Sequence, residues 1–232
     1  AEEETRRSAE TAAAQLAAAE RLRDRYFLLR ALINNEAVAQ LEGNWQAARG
    51  LSNRALALAP EDAPPLGYRV LLEYQVGDVA QGEAHMERFV AVARHRMTFQ
   101  SAEPVFSAIV IPVVAHITGI PDRLDEAQAA AETVLSSSSA GSTSSMWSRA
   151  GLALLAVLRG DVDAVREQYP ALEAGRGTLL VFGTVSGDRL LGLLAQTMGN
   201  LDKAAEHFED ALAFCRKAGY RPELAWTCCD YA

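Results

Sequence analysis

The residues best suited to chemistry are few and widely spaced. Zinc sites need paired spacings such as CxxC or HExxH, and the chain has neither, nor an HxxxH pair. A cysteine nucleophile needs a base, and no residue is identifiable as a base for Cys215. His207, between Glu206 and Phe208, is predicted to lie on an exposed helix surface. The remaining cysteines and histidines are Cys228, Cys229, His85, His95 and His116.

Other catalytic patterns are also missing from the sequence. It has no GxSxG and no GxxxxGK, and its acidic runs at 2–4 and 122–126 precede predicted helices, where carboxylates favour the helix dipole. We therefore expect no catalytic residue, no metal site and no cofactor. An enzyme would require histidine, cysteine or carboxylate groups from distant segments to converge in the fold.

Composition excludes some classes of partner. Of 232 residues, 50% are hydrophobic and 22% charged, and the net charge is −8. An acidic chain without a basic stripe is not expected to bind nucleic acid directly. The most apolar segment, VFSAIVIPVVAHITGI at 105–120, contains Pro112 and is shorter than the roughly 20 residues of a membrane span. We interpret it as a buried helix and expect no membrane contact.

Three cysteines are too few and too closely placed for a disulfide framework, which favours a reducing compartment and a cytoplasmic location. We expect all three to be small buried side chains. The chain starts at Ala1 without Met, and a helix is predicted to begin near its end, at 222–232. The sequence is therefore expected to be a processed protein or, as its ending favours, a piece of a longer one.

A glycine followed by Asn or Asp recurs along the chain. The glycine suits the left-handed end of one helix, and the Asx side chain caps the next helix. With Gly119, which precedes Asp122, the spacings are 34, 42, 41 and 39 residues. Periods of this length are typical of stacked helix pairs. The steps are Gly43-Asn44, Gly77-Asp78, Gly160-Asp161 and Gly199-Asn200.

The residues that flank these turns have helical periodicity. Ala204, Phe208 and Ala211 lie on one face of the helix after Gly199, and Gly192 lies in the helix before it. Small residues allow two helices to approach closely, with the larger Phe208 filling the groove between them. After Gly43 the matching face consists of small residues, and Pro60 ends that helix. This face is Ala48, Ser52 and Ala55.

These features resemble the tetratricopeptide repeat, most closely at LEGNWQAARGLSNRALALAP (41–60) and LLGLLAQTMGNLDKAAEHFEDALAF (190–214), and weakly around Gly119. The resemblance implies an all-α fold, a right-handed superhelical solenoid of antiparallel helix pairs over the single domain 1–232. The predicted units are an N-terminal helix at 2–22, pairs at 24–60, 65–96, 103–137, 144–176 and 178–218, and the start of a further helix at 222–232.

Three segments depart from the repeat. Pro112 should deprive the carbonyl of Ala108 of its helical partner and bend the helix, either to shape a pocket or to accommodate packing. Pro170 is predicted to end a short helix and leave PALEAG as a turn. The serine-rich segment 136–145 is predicted to be a flexible linker.

In the repeat family, the first helix of each pair lines a concave groove through residues thirteen, ten, six and three positions before the turn glycine. The resemblance therefore implies a groove that is apolar and aromatic at its centre, suited to an amphipathic helix or another segment of the same protein. Packing between pairs would explain the same aromatic residues. The candidates are Arg30, Ile33, Gln40, Leu71, Tyr74, Phe106, Ile109, His116, Trp147, Arg189 and Gln196. The same rule also gives Ala37, Val113, Ala150, Leu154, Val157, Ser186 and Leu193.

The tail 198–232 and RVLLEYQVGD (69–78) resemble the helical-repeat regions of large bacterial signalling proteins, which join an ATPase to a class III nucleotide cyclase or a LuxR-type DNA-binding domain. This resemblance implies a non-enzymatic, cytoplasmic segment that senses a partner segment or small effector and restrains an output domain. A structural spacer or homodimerisation module without a ligand, or a free-standing binding protein, remains the alternative.

Overall fold

The computed structural model describes residues 2–95, 102–138, 140–181 and 185–232, with side chains from residue 10 onward. The predicted all-α class is confirmed, since helices form nearly all of the described chain. They are α1 (Glu2–Leu22), α2 (Arg25–Leu41), α3 (Trp45–Leu58), α4 (Ala63–Val76), α5 (Val79–His95), α6 (Glu103–Thr118), α7 (Leu124–Leu135), α8 (Ser142–Arg159), α9 (Val162–Leu172), α10 (Gly187–Thr197), α11 (Leu201–Ala218) and α12 (Arg221–Tyr231).

The four predicted Gly-Asx turns all have the expected geometry. Their glycines have φ between 64° and 84°, the left-handed conformation that ends a helix without a Cβ clash. Each Asx side chain then accepts a bond from the backbone N–H three residues on, which caps the following helix. These bonds run from Ala47 to Asn44, Gln81 to Asp78, Ala164 to Asp161 and Lys203 to Asn200.

The turn after α6 has a different geometry from the four Gly-Asx turns, in line with the weak resemblance to the repeat around Gly119. Gly119 has a φ of 69°, but Arg123 precedes α7 with a φ of 56°, which is unusual for a residue with a Cβ. Asp122 accepts from the Arg123 backbone at 2.9 Å instead of capping α7.

The small faces predicted beside the turns are buried. Ala204, Phe208 and Ala211 are core residues of α11, and a Cβ on Gly192 would lie 2.8 Å from the Phe208 ring. The corresponding face of α3, formed by Ala48, Ser52 and Ala55, is fully buried. The glycine and alanines thus allow α10 and α11 to pack closely around one phenylalanine.

Helices pack mainly on their neighbours in sequence. α2 packs on α3, α4 on α5, α6 on α7, α8 on α9 and α10 on α11, while α6 also packs on both α4 and α8. One main hydrophobic core runs through these contacts from Leu32 to Phe208. Even-numbered helices from α4 to α10 therefore contact one another in series.

Pro112 lies inside α6, and the helix continues past it to Thr118. The carbonyl of Ala108, which loses its usual donor, faces Gly151 of α8. A Cβ on Gly151 would lie 2.0 Å from this oxygen, so only glycine fits. Of the two predicted roles for Pro112, the contact favours packing between α6 and α8 over shaping a pocket.

Two predictions between α8 and α11 are wrong. Pro170 does not end α9, which extends to Leu172 before a 3-10 turn at Glu173–Gly175. The segment predicted to begin a helix at 178 instead forms a short antiparallel ribbon, β1 (Leu179–Val181) with β2 (Val185–Ser186), so α10 starts at Gly187. Val and Leu suit this extended conformation.

The linker predicted at 136–145 is shorter than expected, because α8 begins at Ser142. Among the residues that the structure describes, no helix is both long enough and apolar enough to cross a membrane.

Candidate functional site

The last helix, α12, joins α10 through a buried network of charges. The side chains of Arg189 in α10 and Glu223 in α12 are 5% and 2% exposed, and Nε lies 2.9 Å from Oε1. The same guanidinium donates from Nη1 to Asp230 Oδ2 at 3.0 Å. Glu223 and Asp230 are separated by about two helical turns, so one cation holds both ends of the α12 face.

The start of α10 belongs to the same network. Ser186 caps α10, its hydroxyl accepting from the backbone N–H of Arg189 at 3.1 Å, and its own backbone N–H donates to Glu223 Oε1 at 2.6 Å. The β1–β2 ribbon places Ser186 in this position. The beginning of α10 and the docking of α12 therefore depend on each other.

His116 extends the network to α6. Its Nε2 lies 2.9 Å from Asp230 Oδ1, so this nitrogen carries the proton and donates to the carboxylate. Its ring also faces the Trp226 indole, with centroids 6.4 Å apart. Through Asp230 and Trp226, α12 thus contacts α6 as well as α10.

Burial and the neighbouring charges together raise the pKa values of Arg189 and Glu223 and lower the pKa of Asp230. Burial would lower the pKa of Arg189, but the charges of Glu223 and Asp230 outweigh it and raise that pKa. Burial would raise the pKa of Asp230, yet the hydrogen bond from His116 and the charge of Arg189 bring it below its ordinary value. For Glu223, burial dominates over Arg189 and raises the pKa. Asp230 is therefore the more firmly ionised acid.

Trp226 closes a small cavity against the even-numbered helices. We call the lining residues from α4, α6, α8 and α10 the inner surface. The remaining volume is about 10 Å³, at the lower limit of what a single water needs. Trp226 is one of the residues that line this space. The inner surface consists of Gln75, Val113, His116, Ile117, Leu154, Arg189 and Leu193.

The other end of α12 reaches the first helix pair. Arg221 donates from Nε and Nη2 to the carbonyl of Glu42, at 3.3 and 3.0 Å. Pro222 packs beside Gly43 in the turn between α2 and α3. α12 therefore spans from the first helix pair, past α6, to the fifth pair.

The structure brings together only part of the predicted groove. His116, Arg189, Val113, Leu154 and Leu193 do surround one cavity. Arg30 and Gln196 are exposed, and Trp147 is half-buried against the core. Gln40 is buried and donates to the carbonyl of Tyr68. The others are core residues, namely Ile33, Leu71, Tyr74, Phe106 and Ile109.

Tyr74 in particular faces away from the inner surface. Its ring lies against Gly82 of α5, where a Cβ would be 2.9 Å from the ring, and its hydroxyl donates to Glu83 at 2.8 Å. The neighbouring Gln75 lines the cavity in its place.

Two predictions about side chains are wrong. His207 is fully buried rather than on the surface, with Nε2 2.7 Å from the Tyr169 hydroxyl. Of the three cysteines only Cys215 is buried, while Cys228 and Cys229 are exposed thiols. Residues 204, 207, 208 and 211 share one helical face, so periodicity could have placed His207 correctly.

The chain was compared with protein-family models, curated proteins and solved structures, and none of them matches it. Functional inference therefore depends on the site geometry.

Proposed function

We propose that this chain is a helical-repeat interaction module, a superhelical array of antiparallel pairs resembling tetratricopeptide repeats, whose inner surface binds an amphipathic helix. The repeated Gly-Asx turns and the packing of each helix on its sequence neighbour support this architecture. The activity is binding, without chemistry of its own.

The observation that carries the proposal is how α12 docks. Its face presents Glu223, Trp226 and Asp230 at i, i+3 and i+7, a spacing typical of helices that bind in grooves. The Trp226 side chain lines the cavity, and the two acids bracket Arg189. An external partner of this surface would be a helix with the same order of acidic, aromatic and acidic residues.

In a longer parent protein, α12 and a partner helix would compete for the inner surface. The resemblance of the tail and of 69–78 to ATPase-linked bacterial regulators supports a cytoplasmic signalling role for this competition. Release of α12 would then alter contacts to a neighbouring output domain, in response to a protein segment or a small effector.

The test is competition between α12 and the same helix supplied as a peptide. A fluorescent peptide of residues 219–232, with both exposed cysteines replaced by serine, is titrated into the full chain and into Trp226→Ala. We expect at least tenfold tighter binding to Trp226→Ala, because the weakened internal helix competes less well.

The matched control peptide carries glutamine at 223 and asparagine at 230, and its binding should be lost. If Trp226→Ala remains helical by circular dichroism and binds the acidic peptide no better than the control peptide, the inner surface is not a helix-binding site.

A dimerisation module is the second candidate, favoured by one exposed patch. Leu22, Tyr26 and Phe27, where α1 meets α2, are 69%, 66% and 56% exposed. Such adjacent large apolar side chains are costly in water unless covered. Sedimentation of the wild-type chain and of Tyr26→Ser/Phe27→Ser tests this, since only the wild type should show a concentration-dependent dimer.

A further inference from the structure

A second polar cluster lies on the other side of α10, away from α12. Asp188 is adjacent to Arg189 in sequence but faces α11, where it meets His207 and Asp210. One ligand atom from each of these three residues lies within 4.8 Å of the others. Asp188 and His207 are 2% and 0% exposed, whereas Asp210 is exposed to solvent.

Two buried polar atoms in this cluster face each other without a hydrogen bond. His207 Nδ1 and Asp188 Oδ1 are 3.9 Å apart, too far for a hydrogen bond, and neither has such a partner among the residues that the structure describes. Unsatisfied buried groups cost free energy, and each requires an explanation. A cation placed between the His207 nitrogen lone pair and the Asp188 carboxylate oxygen would interact favourably with both atoms.

Tyr169 of α9 fixes the orientation of the imidazole. Its hydroxyl lies 2.7 Å from His207 Nε2, so when Nε2 carries the proton, the lone pair of Nδ1 faces Asp188. Burial lowers the pKa of His207, and the charges of Arg176 and Lys203 lower it further. This shift favours the neutral imidazole, the form that binds metal, and Tyr169 holds the ring as neighbouring groups usually hold metal-bound histidines.

Arg176 is the cation that contacts the two aspartates of this cluster. Its Nη2 lies 2.7 Å from Asp210 Oδ2, and its Nε lies 3.6 Å from Asp188 Oδ1. The Arg176 side chain is 40% exposed and also contacts Glu206, so it can leave the two aspartates while remaining solvated. Asp188 is held in place separately, because its Oδ2 accepts from the backbone of Gly177 at 2.6 Å.

We propose that His207 Nδ1, Asp188 Oδ1 and the Asp210 carboxylate bind a divalent first-row transition ion of the zinc type. Imidazole and carboxylate ligands suit such ions, and water would complete the coordination at the exposed side of Asp210. The ion displaces the Arg176 guanidinium from both aspartates. It would link α10 to α11 and, through Tyr169, to α9. This site does not depend on the docking of α12.

Calorimetric titration with zinc chloride tests the site in the full chain. Cys228→Ser/Cys229→Ser is the background, because these exposed adjacent thiols could bind zinc themselves. We expect one equivalent to bind, and Arg176→Gln to bind at least tenfold more tightly because the competing cation is gone. His95→Asn, which changes an exposed histidine of α5, is the matched control and should leave the affinity unchanged.

Ligand variants distinguish this site from surface binding. Asp210→Asn, at an exposed position that should not disturb the fold, and His207→Asn should both abolish binding. Tyr169→Phe should weaken it by about 10–100-fold, the usual effect of removing the group that orients a ligand. The proposal is overturned if Arg176→Gln binds no zinc, or if the folded Asp210→Asn variant binds zinc as tightly as the background chain.

Discussion

Asp188 and Arg189 are neighbours in α10, yet they belong to two polar clusters that pair their charges differently. Arg189 faces α12 and has two carboxylate partners at 2.9 and 3.0 Å, although Glu223 Oε2 has no hydrogen-bond partner among the described residues. Asp188 faces α11, where its Oδ1 and His207 Nδ1 have no hydrogen-bond partner among the described residues.

The difference shows that burial alone does not indicate what a charged group does. Around Arg189, opposite charges and hydrogen bonds compensate for lost hydration, so the cluster holds two helices together. Around Asp188, compensation comes from a half-exposed arginine at longer range, so the cluster can accept another cation.

The largest expected effect comes from removing the cation that Arg189 places between Glu223 and Asp230. Arg189→Met leaves Glu223 and Asp230 buried without their partner, which should lower the free energy of unfolding by about 3–5 kcal/mol. Urea denaturation followed by circular dichroism measures this loss. Adding Glu223→Gln to the variant should recover part of it, since one unpaired acid is then removed. A loss below about 1 kcal/mol for Arg189→Met would show that the buried Arg189 pairs stabilise the fold no more than exposed ion pairs such as those of Arg176.

An intermediate effect is expected for Asp230→Asn. At pH 7 the variant should be less stable by about 1.5–3 kcal/mol, the typical contribution of a hydrogen bond to a charged group. Because folding lowers the pKa of Asp230, its stabilisation is present above the ordinary value of 3.8 and is lost as pH falls through the lower folded pKa.

The difference between wild type and Asp230→Asn should therefore be unchanged in denaturation midpoints above the ordinary pKa of 3.8, and it should shrink as the pH is lowered from 3.8 through the lower folded pKa. A constant difference over this range would show that His116 and Arg189 do not hold Asp230 in its ionised form.

The smallest effect is expected for Arg176→Gln without added metal. Arg176 has more carboxylate neighbours than Arg189, but its exposure screens them, so the loss should be only about 0–1 kcal/mol. The same urea denaturation measures it. A loss comparable to that of Arg189→Met would show that Arg176 is a fixed ion-pair partner of Asp188 and Asp210. The cluster would then have no position for another cation.

The sequence predicts the helical repeat because its local signals are strong. Gly43, Gly77, Gly160 and Gly199 each combine a left-handed helix end with an Asx cap, and no tertiary contact is needed to identify them. Sequence reasoning misses the β1–β2 ribbon because its five residues are too few to show a strand pattern of their own.

The site could be predicted only in part. Counting back from Gly199 and Gly119 finds Arg189 and His116, because both lie on first helices of predicted pairs. The same count places Tyr74 incorrectly, since Gly82 offers its ring a closer packing position in α5. Sequence reasoning does not reach Glu223 and Asp230, because it predicts only that a further helix starts at 222–232. The contact of this helix with α10 and α6 depends on the tertiary fold.

The contact between Arg221 and the carbonyl of Glu42 joins residues 179 positions apart. In open repeat arrays each unit contacts only its neighbours, so folding can begin anywhere and the ends fray independently. The loop that this contact closes has 179 residues, and its closure entropy opposes the contact between α12 and the first pair. The contacts of α12 with α10 and α11 close only short loops, so we expect the contact with the first pair to form last and to couple opening of the first pair to opening of the last.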